Sequence, residues 1–281
     1  MGLMYRFFGP PPWPEWANYR EEALRDDYRC VELLYGNGGY IFYYPNFPWN
    51  YLLTELLLVG DLQRHTALQQ ADEVLYYSQG KWKDYEQLAR EGFVPNTEAW
   101  NPQPEEFGRI WVRYANGYNF VCNRLEGIFS VTTPQGEIQL PQYGWVAWRE
   151  EAGLLAYSAF WPGTEHRVDY LEDASRELRY LDPRGLVLEG SDCIQCWLKG
   201  ELALEADVAA GKAWVRGEEL SLTYEQPPGL TEIDFDFTEG QQGWQLVRGF
   251  ATPIFTSEGM SLGVVAEDPQ LYSPPLEVEG R

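Results

Sequence analysis

The sequence predicts a mixed, β-rich fold: a short α/β segment, then an antiparallel β-sandwich, then a small or partial β-module. Three observations carry this expectation. Apolar residues recur at helical spacing over the first hundred residues and at period two from Arg109 onward. The apolar runs after Arg109 are short and separated by Gly, Pro and Asn, the punctuation of a many-stranded antiparallel fold. Two proline-containing stretches, 93–106 and 226–229, divide the chain into segments 1–100, 107–226 and 230–281.

In the first segment, residues 20–35 place Ala23, Leu24, Tyr28, Val31 and Leu34 at helical spacing, and Gly36, Gly38 and Gly39 stop that helix. Residues 40–44 form a continuous apolar run closed by Pro45, which is how a strand buried on both faces reads. A second helix is predicted over 51–75 with a break near Gly60, and a third over 81–90, closing at Gly92. Helix, buried strand, helix is the order of a parallel α/β layer, and one strand makes no sheet alone. Segment 1–100 therefore reads as the end of a barrel, with a small independent helical domain as the alternative.

In the second segment, apolar runs at 109–114 and 118–124 flank Asn116-Gly117, and Asn-Gly supplies the positive φ of a tight hairpin. Further strands are predicted at 129–132, 137–140, 145–148, 154–160, 167–170, 178–181, 186–188, 194–198, 201–206, 213–216 and 220–224. The last segment is β-like but only about 50 residues, short for a closed sandwich with its own core.

Charge and cysteine usage narrow the function classes. Forty-three acidic residues against 21 basic ones give a formal net charge of -22. That field repels phosphate backbones and anionic bilayers, so no nucleic acid is expected as partner, whereas neutral ligands are not opposed. No run approaches the ~20 apolar residues of a membrane span, so no membrane insertion is expected. Residues 1–16 carry Arg6 but no apolar stretch of a secretion signal; secretion is expected only for a piece of a longer exported protein. Cys30, Cys122, Cys193 and Cys196 are too few for a disulfide framework, and Cys193-x-x-Cys196 lies in a strand-like stretch, which favours buried thiols over zinc or redox chemistry. His65 and His166 stand far apart in sequence, and the glycines at 36–39 precede a strand, the wrong order for a dinucleotide loop. Neither a metal nor a cofactor is expected.

Three stretches carry a family resemblance. They are 59–64 with 71–77, then 109–123 (Tyr114-Ala-Asn-Gly117 leading to Asn123) with Leu140-Pro-Gln-Tyr-Gly144, and finally 167–170 with 180–185. Their order resembles the C-terminal part of glycoside-hydrolase-like proteins in which a β-sandwich follows a (β/α)8 barrel. Phe235-Asp-Phe237, Gly243-Trp244, Gly259, Asp268-Pro269 and 273–276 resemble the first strands of a galactose-binding-like jelly roll. The resemblance implies a carbohydrate role with polysaccharide or oligosaccharide as partner. It also implies that the acid and nucleophile strands lie upstream, so the chain is inactive alone. The alternative is a non-catalytic sandwich binding carbohydrate or protein, with a partner at an open sheet edge.

Candidate binding residues follow from position. A barrel binds at the carboxyl ends of its strands. After the 40–44 run come Asn46, able to hydrogen-bond hydroxyls, and Trp49, able to stack on a sugar ring; turn capping and loop packing explain the same two residues. Trp13, beside Trp16 in the proline-rich stretch 9–16, could line a groove, and Trp244 with Asp268 and Tyr272 could bind sugar in the last segment. Among the acids, Glu32, Glu55 and Asp61 lie on or between predicted helices. Glu55 interrupts an apolar run and is expected to pair with Arg64, while Asp61 and His65 have the i,i+4 spacing of an ion pair.

Overall fold

The computed structural model describes residues 22–36, 49–67, 69–95, 104–188 and 190–222, with four short strands between 245 and 272. Trp13, Asn46, Trp244, Asp268 and the expected strand at 40–44 lie outside the described residues. Helix α1, Glu22–Tyr35, follows the predicted spacing and stops at Gly36, whose φ is +60°. Its buried side includes Cys30, Leu33 and Leu34, but also Arg25, Asp26, Asp27, Arg29 and Glu32. Five buried charges on one helix require partners from elsewhere in the fold.

The second helix runs as α2, Trp49–Thr54, a π-helical turn, Glu55–Val59, and α3, Gly60–Thr66. The expected break at Gly60 is instead this widened turn just before it; Gly60 itself keeps helical dihedrals. The helix does not continue to 75. Residues Ala71–Ser78 form strand β1, and Lys81–Lys83, expected in a helix, form β2. The aromatic residues decide this. Tyr77 packs on Trp82 and Phe129, and Tyr76 meets Phe107 edge-on. Tyr77 and Trp82 are direct cross-strand partners, and these contacts override local helical spacing. Gln79 and Gly80, both at positive φ, turn the hairpin.

The third helix is shorter than predicted. Helix α4, Tyr85–Arg90, starts after Asp84, whose carboxylate accepts from the Gln87 amide at 2.7 Å while the Gln87 side chain accepts from the Asp84 amide at 3.1 Å. Asp84→Ala is expected to cost about 1 kcal/mol, read as a shift in urea midpoint with unchanged slope.

The remaining strands of the first unit are β3 (Arg109–Tyr114), β4 (Asn119–Asn123), β5 (Phe129–Thr133), β6 (Gly136–Leu140), β7 (Gly144–Arg149), β8 (Leu154–Phe160), β9 (Arg167–Asp173), β10 (Leu178–Asp182), β11 (Ile194–Leu198), β12 (Glu201–Asp207), β13 (Lys212–Val215) and β14 (Glu218–Ser221). Twelve of the fourteen make one antiparallel sheet in the order β14-β13-β12-β11-β10-β9-β8-β7-β4-β3-β1-β2. The sheet therefore crosses the stretch at 93–106. The expected strand at 186–188 is reduced to a single bridge, Leu188 to Ser191.

Alternation along the strands gives the sheet two faces. Trp145, Ala147, Leu154, Ala156, Leu171, Tyr180 and Cys196 face Cys30, Leu33, Leu58, Val59 and Leu62 of the helices. On the other face Val121, Val146, Trp148, Tyr157, Val168 and Leu181 pack with Phe129, Val131 and Leu140 of the β5–β6 hairpin. The β-rich, antiparallel character expected from sequence is present, with helices covering one face and a two-stranded hairpin part of the other.

The motif around Asn123 has a folding explanation. Asn123 Nδ2 donates to the carbonyls of Gly127, Leu140 and Pro141 at 2.9, 3.2 and 3.2 Å, and its Oδ1 accepts from Leu125 N at 3.2 Å. One buried amide thus holds the Leu140-Pro-Gln-Tyr-Gly144 turn. Gly144 is required there because a Cβ would stand 2.8 Å from Pro141. Asn116 likewise ties its hairpin to the helix end, donating to the His65 carbonyl at 2.7 Å.

Glu225–Arg281 make a second compact unit. Its described strands pair antiparallel: β15, Gln245–Arg248, with β18, Gln270–Tyr272, and β16, Ile254–Thr256, with β17, Gly259–Ser261. No helix among the described residues is long and apolar enough to cross a membrane.

Candidate functional site

Pairing register places Ser158, Asp169 and Asp182 side by side on β8, β9 and β10, all on the helix-facing side. A short hydrogen bond joins Ser158 to Asp169. Helix α1 brings Asp26 and Arg29 over this row, and the π-turn brings Glu55. Arg29 Nε donates to Glu55 at 2.7 Å, and its Nη1 donates to Asp169 at 3.3 Å. Arg184, just past β10, donates to Asp26 at 2.7 Å and to Asp169 at 3.0 Å. Arg167 reaches Asp26 at 2.7 Å and Ser158 at 2.9 Å. Every member of this network is almost completely removed from solvent, apart from the partly buried Arg167 and Arg184.

Burial sorts the protons of these acids. Burial alone would raise Asp26, but Arg184 and Arg167 outweigh it and hold the carboxyl well below the ordinary range. Glu55 goes the other way: burial raises its carboxyl despite Arg29. Asp182 is pushed up to about 6, first by burial and then by the charge of Asp169. The row therefore holds proton carriers and fixed charges in one place, the condition that acid–base sites share with buried structural ion networks. A cavity of about 10 Å³ lies among Arg25, Asp26, Asn50, Tyr51, Asp182 and Arg184. That is room for one water at most.

The sequence-derived candidates map onto this region only in part. Trp49 opens α2, half-buried, and its neighbour Asn50 lines the small cavity. Tyr272 lies in β18. Glu55 does not pair with Arg64, as its position suggested; the π-turn directs it to Arg29, and Arg64 donates to Asp61 at 3.2 Å. Asp61 also bonds Arg176. His65 does not pair with Asp61 either; its Nε2 stands 3.3 Å from Asp173, where β9 ends beside the helix. The second histidine, His166, contacts the Pro183 carbonyl at 2.8 Å. Cys196 is buried in the core and Cys193 is half-buried, both as free thiols.

The opposite face of the same strands carries an aromatic row that sequence reasoning passed over. Tyr157 on β8 stacks on Tyr170 on β9 with centroids 5.1 Å apart. Trp161 meets Tyr170 edge-on at 6.2 Å. Arg179 on β10 lies 5.8 Å from the Tyr170 ring and 4.5 Å from the Trp197 ring on β11. Trp161, Tyr170 and Trp197 are half-buried, packed against the core of that face. A hollow of about 430 Å³ at one end is lined by Glu137, Gln139, Trp161, Thr164 and Glu165. Another, of about 410 Å³, is lined by Glu172, Glu177, Arg179 and Trp197. Period-two alternation from Tyr157 and Tyr170 would have placed these residues on one face, but not shown that Trp161, Tyr170 and Trp197 keep part of their surface exposed while Tyr157 is buried. Comparison with protein-family models, with curated proteins and with solved structures finds no match to this chain.

Proposed function

We propose that this chain handles carbohydrate, binding a neutral oligosaccharide or polysaccharide across the outer face of β8–β11. The observation that carries this reading is the half-buried row Trp161, Tyr170, Arg179 and Trp197, partly open to solvent, with a hollow at either end. Sugar rings present C–H faces that stack on aromatic rings and hydroxyls that bond flanking carboxylates and guanidinium groups. Glu137, Glu165, Glu172 and Arg179 supply such groups here. The strong negative charge does not oppose a neutral ligand.

On this reading, the chain is the C-terminal part of a glycoside-hydrolase-like protein, with any barrel end confined to residues before β1, since 71–83 belong to the antiparallel sheet, and with 230–281 a partial galactose-binding-like module. Glu55 and Asp182 hold their protons unusually well, yet the cavity beside them admits no sugar ring. Binding, and not hydrolysis, is therefore the activity assigned to these residues. A second reading rests on β14, whose four residues are all exposed at one end of the sheet. An added strand from a partner would pair there, although Glu218 and Glu219 guard that edge.

A glycan panel read by tryptophan fluorescence tests the proposal, since the chain has 12 tryptophans. Saturable binding is expected, weakened about tenfold by Trp161→Ala or Trp197→Ala. Loss in Trp49→Ala or Trp244→Ala instead would move the site to the α2 end or the last segment. Silence across the panel would overturn the carbohydrate reading, and self-association in light scattering would then favour the β14 edge.

A further inference from the structure

We propose that Asp61, His65 and Asp173 form a binding site for a divalent metal ion of the zinc class. Asp61 and His65 stand one helical turn apart on α3, and Asp173 closes β9. One carboxylate oxygen from each aspartate and one ring nitrogen of His65 lie within 4.8 Å of one another. All three side chains are buried, at 3, 9 and 1% exposure.

Proximity alone would describe an ordinary hydrogen-bonded cluster. A second observation separates the two. Asp61 Oδ2 is buried and meets no donor among the described residues, its carboxyl facing that of Asp173, and the buried hydroxyl of Tyr118 likewise has no hydrogen-bond partner among them. Tyr118 is fully buried, and its ring lies parallel to that of His65 with centroids 6.1 Å apart. Two facing carboxylates need a shared proton or a cation between them, and an unpartnered buried hydroxyl beside them leaves its desolvation uncompensated. A cation held between Asp61 Oδ2, Asp173 and His65 supplies what the carboxylate lacks, and a water on that cation would reach a polar neighbour such as Tyr118.

The charges around the site are compatible with a cation. Arg64 and Arg176 both engage Asp61 through Oδ1, which leaves Oδ2 for the metal. Their side chains are 57 and 40% exposed, so solvent screens their repulsion. The competing occupant is a proton. A metal would replace that proton. One imidazole with two carboxylates suits zinc and its first-row neighbours, whereas calcium takes six to eight oxygen ligands and magnesium keeps most of its waters. Donors around tetrahedral zinc stand roughly 3.3 Å apart, so closing the site asks for movements on the order of 1 Å.

Calorimetric titration of the chelator-treated full chain with zinc chloride tests this. One saturable site per chain is expected. Asp173→Asn and His65→Gln should each weaken it by more than the roughly 10–100-fold that loss of an outer-shell partner costs. Cys193→Ser should leave it intact. No saturable binding, binding that survives both ligand variants, or loss in Cys193→Ser would overturn the site. Cobalt(II) added to the wild-type chain guards against variants that fail to fold. Visible bands without thiolate charge transfer support the site, and charge transfer places the metal on the cysteines and overturns it.

Discussion

Arg29→Met is expected to destabilise the chain by about 3–5 kcal/mol, the cost of removing one partner from a buried ion network. Arg29 is buried between Glu55 and Asp169, 2.7 and 3.3 Å away, and lies 4.9 Å over the Tyr51 ring. Its removal leaves Glu55 without a guanidinium and Asp169 with Arg184 alone, beside a cavity with room for at most one water. The midpoint of urea unfolding at pH 7 measures the effect. Arg29→Met combined with Glu55→Met should recover much of the loss, because an apolar pair of similar volume replaces an ion pair without an uncompensated charge. A single-variant loss below about 1 kcal/mol would mean that the network contributes as little as an exposed salt bridge.

The second large effect is a dependence on pH. Asp182 carries a carboxyl pushed up to about 6 from an ordinary value of 3.8, by burial first and by the charge of Asp169 second. The folded chain therefore holds this proton more tightly than the unfolded chain. Its stabilising contribution is complete below about pH 4 and is lost as pH rises through 6, by up to about 3 kcal/mol at neutrality. Asp26 works in the opposite sense. Its folded-state value is depressed, so its contribution is present above the ordinary carboxylate range and lost as pH falls below it.

Asp182→Asn isolates the first of these. Asparagine keeps an oxygen for the Arg184 amide, which Asp182 Oδ1 accepts at 2.8 Å, but cannot ionise. The variant should match wild type near pH 4 and exceed it increasingly between pH 4 and 7. Parallel stability curves for the two proteins across that window would show that Asp182 does not titrate as described.

These buried charges also show where sequence reading stops. Helix α1 was legible from Leu24, Tyr28, Val31 and Leu34, and the β3–β4 hairpin from Asn116-Gly117, because each signal is local. That spacing says nothing of Asp26 and Arg29 on the same helix. Their partners are remote: Arg184 is 158 positions from Asp26, and Asp169 is 140 from Arg29. Strand β1 was mistaken for helix because its determining contacts, with Phe107 and Phe129, also lie beyond any local window. The spacing of Asp61 and His65 was visible, but the third member, Asp173, is 108 positions from His65. The aromatic row was half-legible. Alternation fixes that Tyr157 and Tyr170 face the same way, whereas its exposure depends on how far a two-stranded hairpin covers a larger sheet.

Carbohydrate recognition across β8–β11 is tested most directly by hydrogen–deuterium exchange on the full chain, with and without the glycan giving the largest fluorescence change. Bound sugar is expected to slow exchange at 161–166, beside one hollow, and at 173–178, beside the other, and to leave α1 unchanged. Unchanged exchange at both places, or protection confined to α2 or to 245–272, would contradict the assignment of this face as the sugar platform.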